Sequence, residues 1–201
     1  RTFEGTFLAN PAPTLLVERP GTMAPGVAPI SSYLLVSPHK FGFPKDIQAH
    51  LNARSVRFKG TLIFNPRQTV VEVERKSIET LSDHTRPIPE SHQLDSAGIV
   101  ELRGIIVDSK HYYGALNPGF GKPIRATSVR SVDNGIPPIL LVRDRQGETQ
   151  EFLLTDAKGE PLGPKILDRV GVPVQVTGEA FRWGRQWVLR AVPGQIANLE
   201  D

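Results

Sequence analysis

Ser55-Val56-Arg57-Phe58-Lys59-Gly60-Thr61-Leu62-Ile63-Phe64-Asn65-Pro66-Arg67-Gln68-Thr69-Val70-Val71 lies without a gap over Pro173-Val174-Gln175-Val176-Thr177-Gly178-Glu179-Ala180-Phe181-Arg182-Trp183-Gly184-Arg185-Gln186-Trp187-Val188-Leu189. Gly60 meets Gly178, and Arg67-Gln68 meets Arg185-Gln186. In both copies apolar residues alternate, at Val56, Phe58 and Leu62 or at Val174, Val176 and Ala180, which is the period of a half-buried strand. A tight turn follows in each. Asn65-Pro66-Arg67-Gln68 puts Pro where a type I turn wants its fixed φ, and Trp183-Gly184-Arg185-Gln186 puts Gly where type II′ needs φ > 0. Each block predicts a β-hairpin.

The correspondence continues upstream. Phe3-Glu4-Gly5 lies over Leu102-Arg103-Gly104, Pro13-Thr14-Leu15-Leu16-Val17 over Pro138-Ile139-Leu140-Leu141-Val142, and Tyr33-Leu34-Leu35 over Phe152-Leu153-Leu154. Between the third and fourth strands each copy carries a helix-like piece opened by Pro: Pro44 to Leu51, with Ile47 and Leu51 at i, i+4, and Pro164 to Val170. Strand, strand, strand, helix, strand, strand is the order of the OB-fold, a five-stranded Greek-key barrel. The sequence therefore predicts an all-β protein of two tandem OB-fold-like five-stranded barrels, each with a short helix between strands 3 and 4. The expected boundaries are 1–80 for the first domain, 81–98 for a Pro- and Ser-bearing linker, and 99–201 for the second. A single β-sandwich whose strands merely look alike is the alternative.

Composition agrees. Of 201 residues 18 are Gly and 18 are Pro, which favours turns and short strands over long helices. The absence of Cys excludes disulfides, thiolate metal sites and a Cys nucleophile, and is neutral on compartment. A formal charge of +3 is only mildly basic, so nucleic acid is permitted without being demanded. No apolar run approaches the 18 or so residues of a membrane span. Arg1 in place of an initiator Met is compatible with a removed signal or a membrane anchor N-terminal to it.

The repeats disagree at one place. The first two strands are joined by about Asn10 to Ala12 in the first copy but by Asp108 to Asn134 in the second, a net insertion of about two dozen residues. The insertion holds two of the three tyrosines, an accessible-looking His111, four basic residues (Lys110, Lys122, Arg125, Arg130) and two acidic ones (Asp108, Asp133). A long loop without clear secondary structure is usually functional or mobile, and in OB-folds this loop flanks the binding face. The 108–134 insertion is thus the expected working surface.

Here the chain resembles a family of uncharacterised bacterial proteins, exported or membrane-tethered, with tandem OB-fold-like repeats. The matching residues are Ile106-Val107-Asp108-Ser109-Lys110, Asn117-Pro118-Gly119, Arg125-Ala126 and Gly135-Ile136-Pro137-Pro138. The resemblance implies a periplasmic or extracytoplasmic place, with a membrane anchor as one option and the cytoplasm still open. Family members often carry Cys where this chain has His111, Thr127 and Ser131, and His where it has Ile124. The resemblance therefore implies that a thiol-rich metal or redox role of relatives is largely dismantled here.

Four chemistries compete. Single-stranded nucleic acid would need aromatics under bases and cations on phosphate, and Tyr112, Tyr113 and Phe120 with Lys110, Lys122, Arg125 and Arg130 could supply them, aided by Arg182, Trp183, Arg185 and Trp187. Against this, the insertion nets only two positive charges (four basic minus two acidic), and Trp183 and Trp187 read as a cross-strand staple. For a metal, His84 and His92 sit near Asp83, Glu90 and Asp95 in the linker, with nothing to make them converge, while His39 and His50 look like surface residues. No metal or cofactor is expected. For catalysis no nucleophile elbow, zincin helix, P-loop or dinucleotide fingerprint occurs. Asp108-Ser109-Lys110-His111 reads more readily as a turn, although in a reaction His111 would be the acid or base and Arg125 and Arg130 would hold an anion. Partner docking fits best, because Tyr and Arg are favoured interface anchors and a Pro/Gly stretch at 20–29 adds a second loop. The expectation is a non-catalytic binding or assembly module of the bacterial cell envelope. It docks a protein partner through Lys110, His111, Tyr112, Tyr113, Phe120, Lys122, Arg125 and Arg130.

Overall fold

The computed structural model describes residues 1–19, 29–115 and 124–199. They form two units, Arg1–Pro87 and Ile88–Asp201.

In the first unit, β1 (Thr2–Leu8), β2 (Thr14–Glu18) and β3 (Ile30–Ser37) form an antiparallel meander. A two-residue β4 (Phe41–Gly42) folds back on β3, α1 (Lys45–Leu51) follows, and β5 (Arg54–Ile63) and β6 (Val70–Val73) make the hairpin. β3 pairs with β6 in parallel and β5 pairs with β1, which closes the ring. A further strand, β7 (Glu79–Thr85), lies along β5. The second unit repeats the plan with β8 (Asp95–Asp108), β9 (Pro138–Arg143), β10 (Thr149–Thr155), β11 (Pro173–Trp183) and β12 (Gln186–Arg190), closed by the β10–β12 parallel pair and the β11–β8 pair. A three-residue β13 (Ile196–Asn198) lies on β11. The protein is all-β, two OB-fold-like five-stranded barrels in tandem.

The duplication is visible atom by atom at four glycines. A Cβ at Gly5 would stand 2.2 Å from the Leu16 carbonyl oxygen, and one at Gly104 would stand 2.2 Å from that of Leu141. One at Gly60 would meet the Glu72 oxygen at 2.6 Å, and one at Gly178 the Arg190 oxygen at 2.4 Å. In each pair both the glycine and its neighbour are aligned by the repeat. A bare backbone at these points lets neighbouring strands approach closely, as the tight coiling of a small barrel requires.

Alternate residues point inward and build a separate core in each unit. Phe7, Leu15, Leu35, Val56, Phe58 and Val71 fill the first, and Ile106, Leu140, Leu154, Val174, Val176 and Leu189 the second. The helical piece closes one side of each core. α1 buries Leu51 and packs Ile47, while the second copy is a tighter 3-10 helix, Pro164–Arg169, that buries Ile166.

The expected linker is shorter than 81–98. Its first residues belong to β7 and its last ones to β8, because their alternating polar sequences pair with β5 and β11. Between them a 3-10 turn, Glu90–His92, turns the His92 ring inward against Trp183.

Candidate functional site

The insertion is helical at both ends, where the sequence predicted a loop. Asp108 ends β8 and caps α2 (Ser109–Tyr112): its Oδ1 accepts the His111 backbone N–H at 2.7 Å. An acidic N-cap satisfies a donor the helix itself leaves open. Gly114 then takes φ +102 and donates its N–H to His111 O, so the chain leaves α2 after a single turn. α3 (Arg125–Asp133) ends in a Schellman motif, with Gly135 N–H on Val132 O at 3.0 Å and Ile136 N–H on Ser131 O at 3.0 Å. Gly135 has the positive φ, +87, that this ending needs. The two halves of the Ile-Val-Asp-Ser-Lys and Gly-Ile-Pro-Pro pattern thus meet in space: Val107 pairs with Ile139, Asp108 with Pro138, and Ser109 donates to Pro137 O.

This arrangement seals several residues expected at the surface. His111 is 1% exposed, Lys110 is fully buried and Tyr113 is 3% exposed. Val132 of α3 sits in the barrel core, α3 lies against β8, and Ser128 on its inner face holds the Asp108 carboxylate that caps α2. Sequence composition alone does not register that docking, which is why His111 looked accessible. Tyr112 is half-buried; it meets Tyr113 edge-on at 5.3 Å and donates its hydroxyl to Glu151 Oε1 at 3.0 Å. Phe120 and Lys122 lie outside the described residues, as does most of the 20–29 stretch.

Beneath α3 lies a polar interior. Asp108, Ser128 and Ser131 are fully buried, and Ser128 Oγ donates to Asp108 Oδ2 at 2.8 Å. His111 Nδ1 stands 4.0 Å from that same oxygen, beyond hydrogen-bond reach. Both His111 ring nitrogens, Ser109 Oγ and Ser131 Oγ are buried without a hydrogen-bond partner among the described residues. Burial pushes the Asp108 carboxyl up from its ordinary value against the lowering effect of its two donors and the His111 ring. Ser128 and Ser131 were missed in the sequence; their i, i+3 spacing on a short helix was the available signal.

The outer face of α3 is different. Ala126, Arg130 and Asp133, spaced i, i+4, i+7, are exposed, as is Arg125, and Ile124 is 43% exposed. Arg125 Nε donates to Val170 O at 3.1 Å, and a Cβ on Gly171 would stand 2.6 Å from the Arg125 side chain. Arg125 is therefore clamped at its stem. Ile105, Leu141 and Glu151 form one cross-strand row on the barrel exterior, and the Tyr112 hydroxyl ends that row.

The last hairpin departs from the expected staple. Trp183 pairs across with Gln186, and Trp187 with Arg182. Trp183 instead packs edge-on against His92 at 5.3 Å, while Arg182 stacks over Trp187 at 4.7 Å and Arg190 over Phe181 at 4.6 Å. Among the described residues, no three His, Asp or Glu side chains are grouped as metal ligands. No protein-family model matches the chain, and no curated protein matches it.

Proposed function

We propose that this protein is a non-catalytic binding module of the bacterial cell envelope that docks a protein partner through the outer face of the 108–134 insertion. The observation that carries the reading is the two-sidedness of α3. Its inner face is fixed to the barrel through Val132 and Ser128, and its outer face presents Ala126 and Arg130, with Ile124 and Arg125 at its start. An exposed aliphatic side chain beside two arginines suits a partner surface with an apolar centre and a carboxylate rim. In this reading Tyr112, Arg125 and Arg130 make the contact. Lys110, His111 and Tyr113 become its foundation, since a buried side chain supports an interface only by holding it in place.

The envelope placement rests on the resemblance at Ile106–Lys110 and Gly135–Pro138. No helix among the described residues is long and apolar enough to cross a membrane. Single-stranded nucleic acid is the rival, yet Tyr113 and Trp183 are buried, and Arg182 and Arg190 lie against the protein's own rings. Base stacking would need such groups free.

A photo-crosslinking residue at Ala126, in the native host, tests the reading. We expect one discrete adduct, lost when Arg125 and Arg130 are both changed to Glu and not formed from the same residue placed at Gln150. Equal labelling from both positions would sink it. Fluorescence polarisation with a single-stranded oligonucleotide at about 50 and 200 mM salt addresses the rival, since binding through several phosphates falls by orders of magnitude over that range.

A further inference from the structure

The interior between α2 and α3 contains polar atoms without partners. Among the described residues, neither His111 ring nitrogen has a hydrogen-bond partner and Ser131 Oγ has none either, although both side chains are more than nine-tenths buried. Such groups each cost about 1–3 kcal/mol when left dry, and native folds leave few of them without an occupant. Ser128 and Ser131, three apart on α3, share a helix face. Ser128 Oγ holds the same Asp108 oxygen that stands 4.0 Å from His111 Nδ1, so the inner face of α3 and the His111 ring border one space. Ser109 Oγ is unpartnered as well, but residues two apart on a helix do not share a face, so it stands outside this space.

The chemistry of the missing occupant follows from what is already taken. Asp108 Oδ1 is occupied by the His111 backbone N–H and Oδ2 by the Ser128 hydroxyl. Asp108 Oδ2, the carboxylate oxygen beside the ring, stands 4.0 Å from His111 Nδ1, too far to accept from it, so an acceptor brought from outside would satisfy both the ring N–H and the Ser131 hydroxyl. Lys110, one residue before His111, is fully buried as well. Burial meanwhile disfavours the Asp108 negative charge. The other charged groups of α3, namely Arg125, Arg130 and Asp133, are exposed.

We infer that this space is a binding site for a small oxyanion, a phosphate or a carboxylate, which accepts hydrogen bonds from the His111 ring and the Ser131 hydroxyl. Asp108 and Ser128 are the frame that positions the ring and the helix face. The site lies on the inner face of α3, whereas the docking reading uses the outer one.

The test is a titration of the full chain with inorganic phosphate and, separately, with acetate, each to about 10 mM so that millimolar affinity is seen. The His ring resonances are followed by nitrogen-15 NMR at fixed ionic strength. We expect one anion to give a saturable shift of the His111 ring while His39, His50 and His84 stay still, and Ser131→Ala to weaken that binding at least tenfold. A response to phosphate alone or to acetate alone identifies the class. No saturable shift with either anion would mean that ordered water fills the space, and the proposal falls. Unchanged affinity in Ser131→Ala would mean adventitious surface binding, and the proposal falls there too. The wild-type titration decides the matter even if Ser131→Ala does not fold.

Discussion

At the scale of single residues, Tyr113, Asp108 and His92 carry the sharpest expectations. Tyr113 is buried, so Tyr113→Ala should cost about 3–5 kcal/mol, the range for removing a large aromatic from a core. Urea unfolding measures it, and a loss under about 1 kcal/mol would return Tyr113 to the surface role its sequence suggested. Asp108 is raised by burial, so the folded protein binds more protons there than the unfolded chain does. Its contribution is therefore fully present below the ordinary value of 3.8 and is lost as pH rises through the raised folded value. Asp108→Asn can still accept the His111 N–H, and should flatten that decline without loss of stability at neutral pH. Stability measured from pH 4 upward would refute this if variant and wild type fell in parallel. His92 runs the other way. Burial against Trp183 holds its pKa below the ordinary 6.5, the unfolded chain binds the extra proton, and stability is present above 6.5 and lost as pH falls towards the folded value. His92→Phe should keep the ring contact and lose the pH dependence in that window. An unaltered slope would assign the dependence to another group.

At the scale of elements, the glycines that bring strands together should be irreplaceable while others are not. Gly104→Ala drives a Cβ into the Leu141 carbonyl, which belongs to backbone and cannot rotate away, so β8 and β9 must separate. Gly5→Ala does the same at β1 and β2. We expect losses of about 1–3 kcal/mol or more from each, as for overpacked cores, whereas Gly194→Ala, with nothing within 4 Å, should stay within about 0.5 kcal/mol. Thermal unfolding of the three variants side by side is the check, and equal shifts would remove the close-approach argument. α2 and α3 show why elements outside the repeat were hard to read. α2 is a single turn set by one cap, and α3 has Arg, Thr and Ser on it with only Val129 and Val132 to face a core. Two valines in nine residues carry little periodicity, so the helix exists because the barrel end receives Val132 and the Schellman ending closes it.

At the scale of the whole molecule, each barrel owns a closed ring of strands and a core of its own, which is what independent folding requires. Fragments 1–87 and 88–201 should therefore each unfold cooperatively when made alone, as circular dichroism during heating would report. A fragment lacking a transition would show that closure of that ring depends on the other unit. Strand order, the five-strand repeat and the hairpins were legible from the sequence because each rests on local rules: a period of two, a turn chemistry and a glycine at a matching place. The candidate site was legible only by position. Lys110, His111 and Tyr113 have the composition of a surface loop, and the folded chain buries all three. Local sequence rules specified the duplicated barrel plan and marked 108–134 as the place where the copies part. Which face of that insertion is foundation and which is free was left to the packing of the folded chain. Burial of a polar side chain depends on what packs over it, and that partner arrives from a distant part of the chain.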